Sequence, residues 1–289
     1  MALRTFLQIV DGLSQGSALF LVALGLSLTL GVMRLVNISN GAFYMLGAYV
    51  STLAVSQLNI SVWQMVLAIS FGGIVAGIVG AAVEAAFIQR LYALPHLFPL
   101  LGTYAVLLII QGFAVITWGV EPLPTKIPDV LEGTLRIGRY PVSAYALLLI
   151  GVGLVFAVLV GAILTWSRFG RLVAAVTDDR DMAAMLGINT KRIFLVMFSL
   201  SAFAAGIGGG LIAPLNGLTP EVASTYVVEA FAVVIVGGIG SIMGTYIASL
   251  VLGVLQSVLV VIEPSMAEVS IYLAMAAMML LRPRGLFGR

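Results

Sequence analysis

The chain has 289 residues, 61% hydrophobic and only 9% charged, with a net charge of +2. A soluble globular protein carries about 25% charged residues, so lipid must be the solvent for most of this chain, and so small a net charge gives no footing for nucleic acid. The lack of cysteine excludes a thiolate metal site, a disulfide framework and a cysteine nucleophile.

The opening MALRTFLQIVDG is a poor cleavable signal, because Asp11 breaks its apolar run and no small-residue cleavage site precedes a soluble domain. A span needs about 20 apolar residues. Charge-free runs of that size cover 12–33, 97–120, 141–167 and 193–220. The run 40–83 holds two spans, with Gln57, Asn59 and Ser61 marking the break. The run 230–262 is too long for one span and short for two, and Gly237, Gly238, Gly240, Ser241 and Gly244 divide it. That pattern predicts a short or partly penetrating helix, a tight turn and then a full span. A last span ends at Leu281. The expected fold is therefore all-α, a single polytopic helical bundle over 1–289 with about nine transmembrane or partly penetrating segments.

Orientation follows from lysine and arginine. If the charged loop 167–192 is cytoplasmic, alternation places Arg34, Arg90, Arg282, Arg284 and Arg289 inside with it. Arg4, Lys126, Arg136 and Arg139 stay outside with most of the acids, including Asp11, Glu121, Asp129, Glu132, Glu221, Glu263 and Glu268. The amino terminus is then expected outside and the carboxyl terminus inside. The outer loop 119–141 carries Pro122, Pro124 and Pro128, then alternating Leu135, Arg136 and Ile137, which suits a short hairpin. It reads equally as a contact for a delivery protein and as a solvated connector.

The loop 167–192 is the one long charge-dense stretch. Phe169, Leu172, Val173 and Val176 recur at helical spacing. Asp178 is expected to cap a second helix, with Asp179 and Asp181 in its first turn, near the positive end of the helix dipole. Met182, Met185 and Leu186 form its apolar face, and Gly187 suits a left-handed C-terminal cap. Isolated helices under about 12 residues are marginal in water. This one must dock, either into a groove on another chain or onto the membrane-facing base of its own protein.

No phosphate-binding loop is present, because Lys126 and Lys191 each follow threonine rather than glycine. The glycines of 206–210 lie inside a span and read as helix packing. If ATP powers this protein, another polypeptide binds it. Arg34, beside Asn37, Ser39 and Asn40, reads either as an inner-interface residue or as part of a path or inner gate. Glu84, six residues before Arg90, suits a structural pairing more than a proton relay. Glu229 is expected to open the seventh segment, as a gate or lining residue, and His96 is a lone interfacial histidine. A weak internal echo relates Gly41–Tyr49 to Gly238–Tyr246.

Four stretches resemble the permease subunits of bacterial ABC importers for branched-chain amino acids. They are GLSLTLGVMRLVNISNGAFYMLGAY from Gly25, DMAAMLGIN from Asp181, EAFAVVIVGGIGS from Glu229 and LRPRGLFG from Leu281. The second matches the Glu-Ala-Ala-x-x-x-Gly coupling pattern of importer permeases loosely, with Asp181 in place of Glu. The resemblance implies a multi-pass inner-membrane permease that is not itself an enzyme and holds no cofactor or metal. It implies two ATPase subunits that bind ATP, a paralogous second permease and a periplasmic substrate-binding protein. It assigns ATPase coupling to Asp178, Asp179, Arg180, Asp181, Met182, Ala183, Ala184, Met185, Leu186 and Gly187. Arg34, Asn37, Asn40, Gly41, Glu229, Gly238 and Gly240 are the expected path or gate residues. The rival class is a stand-alone ion-coupled secondary transporter, for which Glu84 and Glu229 are the acidic candidates. An intramembrane enzyme lacks an obvious triad.

Overall fold

The structure, a computed structural model, describes residues 2–55, 61–95, 97–137, 140–283 and 285–288. Gln57, Asn59, His96, Arg139, Arg284 and Arg289, and the side chains of Arg4, Arg136 and Glu268, lie outside the described residues.

The first helix, α1 (Ala2–Met33), runs unbroken through Asp11. It is followed by α2 (Asn40–Ala54) and α3 (Val62–Val83). Ser61 starts α3 with a capping box, its hydroxyl accepting from the Gln64 N–H while the Gln64 side chain accepts from the Ser61 N–H. The helix continues through a π-helical turn at Glu84–Ile88 into α4 (Gln89–Leu91). Next come α5 (Leu97–Trp118), α6 (Asp129–Glu132) and the antiparallel strands β1 (Thr134–Ile137) and β2 (Tyr140–Ser143), with Thr134 opposite Ser143. The expected hairpin in the 119–141 loop is therefore present. The remainder is α7 (Ala144–Trp166), α8 (Arg168–Asp178), α9 (Arg180–Met185), α10 (Thr190–Asn216), α11 (Val222–Gly237), α12 (Ile242–Ile262) and α13 (Pro264–Leu281).

Among the described residues, six of the nine expected segments are long and apolar enough to cross a membrane: most of α1, the continuous helix Val62–Leu91, and α5, α7, α10 and α12. The other three are shorter. Helix α2 has 15 residues and α11 has 16, about 22 and 24 Å at 1.5 Å per residue, against a hydrocarbon core about 30 Å thick. Helix α13 has 18. The division of 230–262 at its glycines is real, but the short helix starts upstream, at Val222.

Lipid and core are divided unevenly. In the most apolar stretch of α1, 83% of residues are buried inside the protein, and in α10, 72%, against 22% for α7 and 28% for α5. Helices α1, α2 and α10 form the centre, and α3, α5, α7 and α12 surround it with apolar side chains turned outward. Small residues set the spacing, as expected where burial from water supplies no drive between helices. A Cβ built on Gly47 would sit 2.3 Å from Gly206 Cα, so α2 and α10 touch backbone to backbone. Asn40 fastens the centre: its amide donates to the Val22 carbonyl at 2.8 Å, and its oxygen lies 3.0 Å from the Ser201 hydroxyl, which also reaches the Gly25 carbonyl at 2.7 Å.

Candidate functional site

One end of the bundle collects most of the predicted site residues. Helix α8 opens on Ser167, whose hydroxyl accepts from the Gly170 N–H at 3.0 Å. It lies against the bundle through Gly170, Val173 and Val176, with Phe169 half-buried and Leu172 turned outward off the expected stripe. Asp178 closes α8. The cap of α9 is Asp179, one residue later than expected, because its extended backbone aims one carboxylate oxygen at the N–H groups of Asp181 (3.0 Å) and Met182 (2.9 Å). At the other end the Gly187 N–H donates to the Ala184 carbonyl and the Ile188 N–H to the Ala183 carbonyl, a Schellman closure. Gly187 has φ +82°, as that closure requires. Asn189 then caps α10 through the Arg192 N–H.

Helix α9 is seated through Ala183, which is buried. Its apolar side chains face away: Met182, Met185 and Leu186 are 55%, 83% and 75% exposed. Arg180 anchors the same helix, its guanidinium 4.8 Å from the Phe194 ring centre and 5.6 Å from that of Tyr92. Tyr92 in turn donates to a Glu84 carboxylate oxygen at 2.5 Å. Burial first, then the neighbouring Glu84, pushes the Tyr92 phenol well above its ordinary range, so it remains a donor. The structural pairing of Glu84 is thus with Tyr92 and not with Arg90, which is exposed. The second Glu84 oxygen is buried with no hydrogen-bond partner.

Arg34 is exposed, with φ +52°, and donates to the Thr177 carbonyl at a long 3.4 Å, in the last turn of α8. A cation there meets the negative end of that helix. Asn37, Ser39 and Asn40 are fully buried rather than lining a surface. The Ser39 hydroxyl donates to Asn37 at 2.5 Å, and Thr103 of α5 holds the turn by accepting from the Ile38 N–H at 3.2 Å. Gly41 packs α2 against α11, where a Cβ would meet the Ala223 carbonyl.

The glycine turn between α11 and α12 sits at this same end. Gly238 and Gly240 have φ +103° and +78°, and Gly240 rests on Gly31 of α1. The tail after α13 folds back beneath it: the Leu286 and Phe287 N–H groups donate to the Val236 and Gly237 carbonyls, 2.9 and 3.1 Å, ending α11. Of the two echoing segments, Gly41 lies in the first turn of α2 whereas Gly238 lies in the turn ahead of α12. Glu229 lies apart from this cluster. It sits midway along α11 rather than at its start, half-buried beside Tyr226 in a cavity between α1, α10, α11 and α12.

Sequence reasoning missed the caps at Ser167 and Asn189, though Ser and Asn ahead of each helix were a readable signal. It also missed Tyr92 and Phe194 as the seat of Arg180, which no spacing in the chain announces.

Residues 8–281 match the family described as branched-chain amino acid transport system / permease component. Among relatives, the chain is 27% identical to the high-affinity branched-chain amino acid transport system permease protein LivH of Salmonella typhimurium, over 98% of this chain and 95% of that one. It is 28% identical to BraD of Pseudomonas aeruginosa, a protein of the same description, over 98% and 95%. The ribose import permease protein RbsC of Escherichia coli is 25% identical over 85% of this chain and 75% of its own. Three of the four resembling stretches lie within the matched residues, and the chain belongs to the permease-component family of branched-chain amino acid transport systems.

Proposed function

We propose that this chain is a transmembrane subunit of an ATP-driven importer of the bacterial inner membrane, carrying branched-chain or related small amino acids. Two ATPase subunits bind the nucleotide, a second permease completes the path, and a periplasmic binding protein delivers the solute. The amino terminus lies outside, and the end bearing α8, α9 and the carboxyl-terminal tail lies in the cytoplasm. No cofactor belongs to this chain.

The observation that supports this best is helix α9. A six-residue helix would fray in water, yet this one is closed at both ends and held by Arg180, with Met182, Met185 and Leu186 directed away from its own protein. That favours docking into a groove on a partner over lying on its own base. In this reading, closure of the ATPase pair pushes α9. The push reaches α10 through the Arg180–Phe194 contact, the helix Val62–Leu91 through Tyr92 and Glu84, and α1 through Arg34 at the end of α8.

Replacing Met185 and Leu186 together by aspartate tests it. Membrane insertion should be normal and ATPase co-purification lost. Co-purification at the wild-type level would overturn the docking role. Transport by this chain alone, driven by an ion gradient in proteoliposomes, would instead establish a secondary transporter.

A further inference from the structure

The cavity around Glu229 lies away from the coupling end. Counting 1.5 Å per residue, Gln15 is about 27 Å along α1 from Met33, and Gln256 about 21 Å along α12 from Ile242. The cavity measures about 90 Å³, room for several waters at ~10–15 Å³ each, with exposed Gln15, Leu215 and Asn216 among its lining. Its lining combines polar Gln15, Asn216, Tyr226, Glu229 and Gln256 with aliphatic Leu19, Ile212 and Leu215. The Asn216 amide donates to the Tyr226 hydroxyl, and the Tyr226 ring packs on buried Tyr44, 4.6 Å between centres. Tyr226 is thereby held at the cavity wall, next to the Glu229 carboxylate.

Polar side chains on apolar helices are costly against lipid and are expected to face protein or a water-filled path. An acid, three amides and a phenol converging from four helices match a zwitterion, while Leu19, Ile212 and Leu215 among them match a branched side chain.

We infer that this cavity is a passage site for the transported amino acid, in which Glu229 receives the α-ammonium group, the amides of Gln15 and Gln256 receive the carboxylate, and Leu19, Ile212 and Leu215 receive the aliphatic side chain. This rests on the importer reading above and adds to it a place in the path that sets solute chemistry within the permease itself.

The test uses the complete complex, purified with its native partners and placed in proteoliposomes with internal ATP, external binding protein and radiolabelled L-leucine. A charge-assisted hydrogen bond contributes about 1.5–3 kcal/mol, so Glu229→Gln should lower initial uptake at least about tenfold. Glu229→Asp should retain most of it. Leu215→Trp, which narrows the cavity without touching charge, should also lower uptake. In all three, complex assembly and ATP hydrolysis stimulated by the loaded binding protein should persist. Unchanged uptake in both Glu229→Gln and Leu215→Trp would overturn the inference, as would loss of assembly in them, which would make the cavity a subunit contact. A wild-type complex that imports no amino acid with ATP would overturn the importer reading itself, and this inference with it.

Discussion

Arg34 combines two features at one residue. It adopts φ +52° without being glycine, and its guanidinium reaches the last turn of α8. The left-handed conformation costs an L-residue about 1–2 kcal/mol, so Arg34→Gly should be more stable than Arg34→Ala by about 1 kcal/mol. Both should slow uptake while leaving the complex assembled, because both remove the link to α8. Thermal unfolding in detergent and uptake in proteoliposomes separate the two effects, and normal uptake in both variants would return Arg34 to a purely interfacial role. Glu84 and Tyr92 make a second pair, in which the phenol is the donor to a buried carboxyl group. Tyr92→Phe strips the buried carboxylate of its donor, an expected loss of about 1–3 kcal/mol. Adding Glu84→Leu should recover part of it, since removing both partners leaves nothing buried and unpaired. A double variant less stable than Tyr92→Phe alone would show that the carboxylate has another essential partner.

At the scale of the element, α9 exists through its ends. Asp179→Ala frees two N–H groups and should cost about 1 kcal/mol of helix stability, hence about fivefold in ATPase-subunit affinity. Asp178→Ala, at the end of α8 and outside the cap, should stay within about 0.5 kcal/mol of wild type. Titration of ATPase subunit onto the purified permease compares them, and equal effects would move the cap back to Asp178. Helix α11 is also completed from outside itself. Removing residues 283–289 frees the Val236 and Gly237 carbonyls that Leu286 and Phe287 satisfy, so the glycine turn should become open to protease while the six long helices persist. Continued protection of the turn after that truncation would show that Gly31 and Gly240 hold it unaided.

Across the whole molecule, close backbone contact at α2 and α10 replaces the burial of apolar area as the organising force. Gly47→Leu places its first side-chain atom inside Gly206 and should abolish monodisperse protein on size exclusion, a larger effect than any surface change on α7. Membrane residence, the order of the helices, the split of 230–262 and the glycine end of the short charged helix were legible in the chain, whereas its cap is Asp179, one residue beyond the expected Asp178. They depend on local composition, on periodicity and on capping chemistry within a few residues. Which helices form the centre was not legible. Leucine meets lipid and leucine meets protein on nearly equal terms, so α5 and α1 are equally apolar along their most hydrophobic stretches although α1 is wrapped by the other helices and α5 faces outward. The partner of Glu84, the seat of Arg180 and the gathering of Gln15, Asn216, Tyr226, Glu229 and Gln256 around one cavity were likewise settled only by tertiary structure. Each joins residues whose proximity is set by how the helices cross, and no pattern along a single helix records a crossing.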